Sequence, residues 1–173
     1  MKETSGICQS CSMPLMSQQD YGTESDGMVS NIYCKYCYQQ GKFTDPEATV
    51  ETIADHGAKM MSNLYQIPAN NAKNFMNEQI KMLYRWSGKI IHHCQSCGMP
   101  IFSDEDAGTE KDGLLSDVYC THCYQKGEFI EQKLTHEEMI KKCYPMIAAH
   151  LKIPEDKAEK MVRVFTSNLK RWK

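Results

Sequence analysis

The chain repeats itself with a period of 86 residues. Laying residue i on residue i+86 superposes Cys8 on Cys94, Cys11 on Cys97, Cys34 on Cys120 and Cys37 on Cys123 without a gap. The same offset matches Tyr33/Tyr119, Tyr38/Tyr124, Gly41/Gly127, Phe43/Phe129, Ile67-Pro68/Ile153-Pro154, Ala72/Ala158 and Arg85-Trp86/Arg171-Trp172. This is duplication of a whole module, so any fold proposed for one half has to be built twice. The two copies agree at 21 of 36 positions between residues 8 and 43, but at only 9 of 44 between 44 and 87. The cysteine-bearing segment is therefore tightly specified, and the segment behind it keeps mainly its apolar pattern.

Each module reads C-x2-C, 22 intervening residues, C-x2-C. Two thiolates separated by two residues grip one ion from a tight turn, and two such turns complete a tetrahedron of four sulfurs. Soft thiolates in that geometry select zinc, with mononuclear iron as the competing metal. The expected ligands are Cys8, Cys11, Cys34 and Cys37 for one ion and Cys94, Cys97, Cys120 and Cys123 for a second. Residues 8 to 43 carry few large apolar side chains, too few for a self-sufficient core. A structural zinc contributes an apparent ~10–16 kcal/mol near neutral pH in finger peptides, more than such a segment could draw from packing.

Other uses of the cysteines fit less well. Structural disulfides call for an oxidising compartment, whereas the opening MKETSGICQS shows no apolar run behind a basic end. A cytoplasmic location is expected. A thioredoxin-like CxxC needs a βαβ setting that a segment rich in Gly and polar residues does not provide. A catalytic zinc keeps one position open, and four cysteines close the shell. No catalytic residue and no further cofactor is expected, so the chain reads as a non-enzyme. The ninth cysteine, Cys143, aligns with Gly57 and sits among Met139, Ile140, Ile147 and Leu151 at helical spacing, where a free thiol acts as a small apolar group. His92, His93 and His122 align with Gly6, Ile7 and Tyr36, so ligation by them is unnecessary and a surface position is expected.

Between the cysteine pairs, Asp26-Gly27 and Asp112-Gly113 are tight-turn dipeptides, and MVSNIY and LLSDVY run back as short strands. The repeated acids Glu24/Glu110 and Asp26/Asp112 are explained by turn chemistry. After Phe43 and Phe129 the period becomes helical. Thr135-His-Glu-Glu138 is a capping-box signature ahead of an apolar stripe. Pro145 falls inside that helix, where its missing N–H favours a kink. A second stripe follows Ile153-Pro154, through Ala158, Met161, Val162, Phe165, Leu169 and Trp172. Module one repeats this plan with Val50, Ile53, Ala54, Met61 and Leu64, then Ala72, Phe75, Met76, Ile80, Leu83 and Trp86.

The expected fold is small α+β: a β-hairpin with two CxxC knuckles followed by a helical hairpin, in tandem. The divisions are residues 1–43, 44–87, 88–129 and 130–173. Two apolar stripes on one helical hairpin must pack on their own ribbon, on the other hairpin or on another chain.

The phrases CQSCSMP, GTESDG and YCKYCYQQGKF, and again CQSCGMP, GTEKDG and YCTHCYQKGEF, resemble the Putative zinc ribbon domain family of bacteria and archaea. The resemblance spans about 36 residues of each half, residues 8–43 and 94–129. It implies a zinc ribbon in each half and metal binding through all eight paired cysteines. In some relatives the ribbon accompanies regulatory, effector-binding-type domains, which implies transcription or signalling.

Net charge is −2, with 7 basic and 9 acidic residues through Trp86 and 13 of each thereafter. No basic arm stands out for a phosphate backbone. Each four-thiolate site holding a dication is formally a dianion, which moves the loaded protein further toward acidity. The expected partner is protein rather than nucleic acid or membrane. Lys157, Lys160, Arg163, Lys170, Arg171 and Lys173 keep a nucleic-acid alternative open. A metal or redox sensor is a further alternative to an interaction or regulatory module.

Overall fold

A computed structural model describes residues 6–173 and divides the chain into two compact units, one ending at Ile91 and the other running His92–Lys173. The first unit opens with Ile7 bridged antiparallel to Pro14 across the first cysteine turn. Strands β1 (Tyr21–Thr23) and β2 (Val29–Cys34) form an antiparallel hairpin, and β3 (Tyr38–Gln39) and β4 (Lys42–Phe43) form a second, smaller one. Helices α1 (Val50–Tyr65) and α2 (Ala69–Met82) then pack on each other, and a one-turn helix α3 (Tyr84–Ser87) follows. The second unit repeats this order with β5 (His92–His93), β6 (Pro100–Ile101), β7 (Ala107–Thr109), β8 (Leu115–Cys120), β9 (Tyr124–Gln125), β10 (Glu128–Phe129), α4 (His136–Leu151) and α5 (Glu155–Thr166). Each unit is thus small antiparallel hairpins followed by helices, as the tandem α+β reading requires.

Local chemistry explains where the elements begin and turn. Asp26 Oδ1 accepts from the Met28 N–H at 2.9 Å and Asp112 Oδ1 from the Leu114 N–H at 3.1 Å, closing the β1–β2 and β7–β8 turns. The Thr49 hydroxyl accepts from the Thr52 N–H to cap α1. Thr135 and Glu138 cap α4 reciprocally. Gln66 and Lys152 end α1 and α4 in the left-handed conformation. The α4 helix runs through Pro145 as one continuous element.

The β3–β4 hairpin was not evident from the sequence. Its two-residue loop holds Gln40 at φ 51° and Gly41 at φ 77°, and the loop of β9–β10 holds Lys126 at 53° and Gly127 at 83°. Two consecutive positive φ values define a type I′ turn, whose preferred first residue is asparagine. Gln40→Asn and Lys126→Asn are each expected to stabilise their module by roughly 0.5 kcal/mol, read as a small rise in the thermal midpoint of the metal-loaded chain.

The helical hairpin differs from the sequence expectation at one position. The face of α1 carries buried Ala54 and Ala58 with half-buried Met61 and Tyr65, whereas Leu64 is 59 % exposed. It stands about 80° around the helix from that face, at 100° per residue. Close approach of the helices explains the small residues. A Cβ on Gly57 would lie 2.4 Å from the Met76 Cε. The corresponding pair in the second unit is Cys143 and Val162, a larger residue on one helix exchanged for a smaller one on the other. Each helical hairpin also meets its own ribbon, through a contact that leads to the cysteines.

Candidate metal centre

The first cysteine turn is held by the Cys8 N–H on the Met13 carbonyl (2.8 Å) and the Ser12 N–H on the Cys8 carbonyl (2.9 Å). Its counterpart uses Cys94 N–H to Met99 (2.8 Å) and Gly98 N–H to Cys94 (2.8 Å). The residue after the second cysteine is left-handed in both, Ser12 at φ 65° and Gly98 at φ 79°. The other cysteine turn sits between two hairpins: Cys34 ends β2, and Cys37 precedes β3 with its N–H on the Cys34 carbonyl (3.0 Å). Cys120 and Cys123 repeat that arrangement at 3.0 Å.

These turns bring Cys8, Cys11, Cys34 and Cys37 together, and separately Cys94, Cys97, Cys120 and Cys123, with the four sulfurs of each group within 4.8 Å of one another. The Cys11–Cys34 Sγ separation is 3.8 Å and the Cys97–Cys120 separation 3.7 Å. A disulfide would require about 2.05 Å. A tetrahedron with Zn–S bonds of about 2.3 Å has sulfurs about 3.8 Å apart along each edge. The donor set and its spacing therefore fit a tetrahedral ion of zinc size. In each group three cysteines are buried, and only Cys11 and Cys97 are partly exposed.

Crowding four thiols polarises them. The Cys11 thiol, with Cys34 and Cys37, donates toward Cys8 and drives its pKa far below the ordinary thiol range; Cys120, Cys123 and Cys97 do the same to Cys94. The Cys34 N–H adds a bond to Cys8 Sγ at 3.2 Å. Cys11 is driven up by its bond with Cys34, and Cys97 by its bond with Cys120. The cluster thus favours ionised sulfurs only where protons remain on their neighbours, and a divalent cation is the charge that replaces those protons.

A second layer ties each centre to its helical hairpin. Gln9 is fully buried, its N–H on the Ile32 carbonyl (2.7 Å) and its carbonyl accepting from the Arg85 N–H (3.0 Å). Its side chain donates to the Ile91 carbonyl (3.0 Å) and accepts from the Ile91 N–H (3.2 Å). Trp86 donates its indole N–H to the Ser10 carbonyl at 2.8 Å, while Arg85 reaches the Ser10 hydroxyl (3.1 Å) and the Asp45 carbonyl (2.7 Å). The Arg85 guanidinium lies 3.9 Å over the Phe43 ring. The second unit reproduces this clasp: Trp172 on the Ser96 carbonyl (2.7 Å), Arg171 on the Ser96 hydroxyl (3.1 Å) and the Glu131 carbonyl (2.6 Å), and Arg171 3.9 Å over Phe129. Helical periodicity reads Trp86 and Trp172 only as the ends of apolar stripes. The available signal was that Arg-Trp survives among the nine identities of the diverged segment, alongside the repeated Gln-Ser inside CQSC.

The repeated acids are occupied structurally. Glu24 and Glu110 accept from the Tyr38 and Tyr124 hydroxyls at 3.2 Å, and Asp20 and Asp106 accept from the backbone and hydroxyl of Ser17 and Ser103. Cys143 lies outside the four-sulfur group; its thiol contacts the Met139 sulfur at 3.5 Å, and burial pushes its pKa up.

The histidines depart from expectation at one position. His122 is exposed and His92 half-buried, but His93 is buried in β5 against Phe165, with ring centroids 6.2 Å apart and Nδ1 unpaired. Its ring takes the inward place that Ile7 has in the first unit, because residue 93 alternates inward across the β5–β6 pair. Burial lowers its pKa from 6.5 to about 4. The unfolded chain then binds a proton that the folded unit refuses, so the second unit loses stability as pH falls from 6.5 toward 4. His93→Ile is expected to reduce the acid sensitivity of the second unit and leave the first unchanged, as followed by unfolding at pH 7.5 and 5.5.

The family model described as Putative zinc ribbon domain matches residues 7–87 and again 93–173. The chain belongs to that family. Zinc ribbons are typically structural modules, and the two matches coincide with the two four-cysteine groups, so the tandem zinc-ribbon reading holds for both halves. Neither the curated proteins nor the solved structures gave a match. Among the described residues, no helix of these ribbon modules is long and apolar enough to cross a membrane.

Proposed function

We propose that the protein is a cytoplasmic, non-enzymatic interaction or regulatory module whose two ribbons are each held by one structural zinc ion. The observation that carries this reading is the pair of closed four-sulfur groups with edges of 3.8 and 3.7 Å, which leave no coordination position for a substrate. Metal analysis of protein purified without added metal should return two zinc per chain. Iron at either site, or no metal in a folded chain, would overturn the zinc assignment.

Protein is the favoured partner. Two of the six cations that kept a nucleic-acid role open are engaged internally: Arg171 is in the clasp, and Arg163 pairs with Glu137 and with Glu159 at 2.8 Å. The hairpin tips instead present apolar side chains, Met28 at 66 % and Leu114 at 67 % exposure, at equivalent positions of both modules. Binding to DNA or RNA that weakened steeply with salt would reverse this preference. A redox-sensor reading draws on the partial exposure of Cys11 and Cys97, the one residue of each group that is not buried. Retention of both ions through modest peroxide exposure would count against it.

A further inference from the structure

We propose that the Arg-Trp turn closing each module is a retention clasp for that module's ion: the cysteine knuckle is its seat, and seating the turn in its place slows loss of the metal. This rests on the zinc-binding reading above and adds to it a specific role for residues that touch no sulfur.

The geometry carries it. Within CQSC, the cysteines face the ion while the two residues between them face the helical hairpin. Gln9 and Ser10 are both fully buried, and the backbone carbonyls of both accept from the Arg85-Trp86 turn. Four bonds thus reach the six-residue loop between Cys8 and Met13: Arg85 N–H to Gln9, Tyr84 N–H to the Gln9 side chain (3.3 Å), Trp86 indole to Ser10, and Arg85 guanidinium to the Ser10 hydroxyl. Arg85 also bonds Asp45, just past the β3–β4 hairpin that follows the second cysteine turn, and lies over Phe43 of that hairpin, so one side chain touches the segments behind both cysteine turns. Phe43 belongs to an aromatic trio with Tyr33 and Tyr38 at centroid distances of 4.9 to 5.3 Å, and Tyr33 directly precedes Cys34.

The second module keeps these bonds with Lys170, Arg171, Trp172, Gln95, Ser96, Glu131 and Phe129, although Gln95 is only half-buried and most of the surrounding helical sequence has changed. Unliganded, the knuckle would lose the tetrahedral constraint that fixes those carbonyls. Coupling is reciprocal, so whatever the ion contributes to seating the turn, the turn contributes to holding the ion.

The chain contains two tryptophans, one per clasp, so each clasp has its own optical reporter. The test uses the full zinc-loaded chain, a colorimetric zinc chelator and indole emission. Arg85→Ala should speed release of one equivalent of zinc about tenfold, the lower end of what outer contacts contribute to metal affinity, while the other equivalent leaves at the parental rate. Arg171→Ala should do the converse. Arg85→Lys, which keeps the charge but loses the fork, should fall between. The unaffected equivalent in each variant shows that the other module is intact, and parental amide protection across the zinc-loaded altered module separates faster release from unfolding of that module. In Trp86→Phe, emission from Trp172 should change in step with release of the second module's ion. Parental release rates from Arg85→Ala and Arg171→Ala, or tryptophan emission indifferent to zinc loss, would overturn the clasp. A chain that takes up no zinc at all would instead overturn the zinc reading on which it stands.

Discussion

Removing the ion from one module should unfold that module. In Cys34→Ser the first site keeps three sulfurs, and in Cys120→Ser the second does; each variant should hold one zinc per chain in place of two. A structural zinc is worth about 10–16 kcal/mol near neutral pH, and a small domain's total stability is only about 5–15 kcal/mol, so no packing in the ribbon can offset its loss. The buried cluster around the first site is the four cysteines themselves with Leu15, Tyr33 and a few half-buried neighbours, so the core collapses with the ion. Amide exchange resolved along the sequence should show protection lost from the cysteine segment of the altered module and kept in the other. Full protection in the altered ribbon would show that hydrogen bonds and aromatic packing suffice without metal.

The second large effect is expected at a residue that binds nothing. A Cβ built on Gly22 would lie 2.0 Å from the Tyr38 carbonyl oxygen and 3.2 Å from that of Cys34; on Gly108 it would lie 2.4 Å from the Tyr124 carbonyl. Backbone oxygens cannot rotate away as a flexible side chain can, so β1 would have to separate from the strand pair that follows the second knuckle. Gly22→Ala and Gly108→Ala should each cost about 3 kcal/mol or more, lowering the thermal midpoint of the metal-loaded module by roughly ten degrees or more. By contrast, Gly27 has open space around its Cβ position, and an alanine there meets only the cost of φ 82°. A melting curve for Gly22→Ala indistinguishable from the parent would mean that the strands can part freely.

The parts of this architecture that a one-dimensional reading could reach are those written in local chemistry. Paired cysteines at fixed spacing, Asp-Gly turns, the Thr135–Glu138 cap and the Ile-Pro breaks each act over a few residues, and each appears in the structure where its chemistry requires. The clasp was not legible in that way. Its partners are about 75 residues apart in sequence, as Ser10 is from Arg85, and nothing local in Arg-Trp announces a knuckle as its destination. The burial of His93 is hidden for a related reason: two residues are too short a run for alternation to show in the sequence, and the ring it packs against, Phe165, lies 72 residues further on. Leu64 looked like core because an apolar residue near the end of a helix can fit the periodicity while lying off the packed face.

The Gly57–Met76 and Cys143–Val162 exchange bears on how a chain containing two near-copies of one module avoids confusing them. Were the first helix of one module to take up the second helix of the other during folding, Met76 would meet a thiol where it needs a bare backbone, and Val162 would face an empty notch. One mispaired hairpin would be overfilled and its counterpart hollow. At this position, then, divergence between the copies fits the first helix of each module better to its own second helix than to its neighbour's.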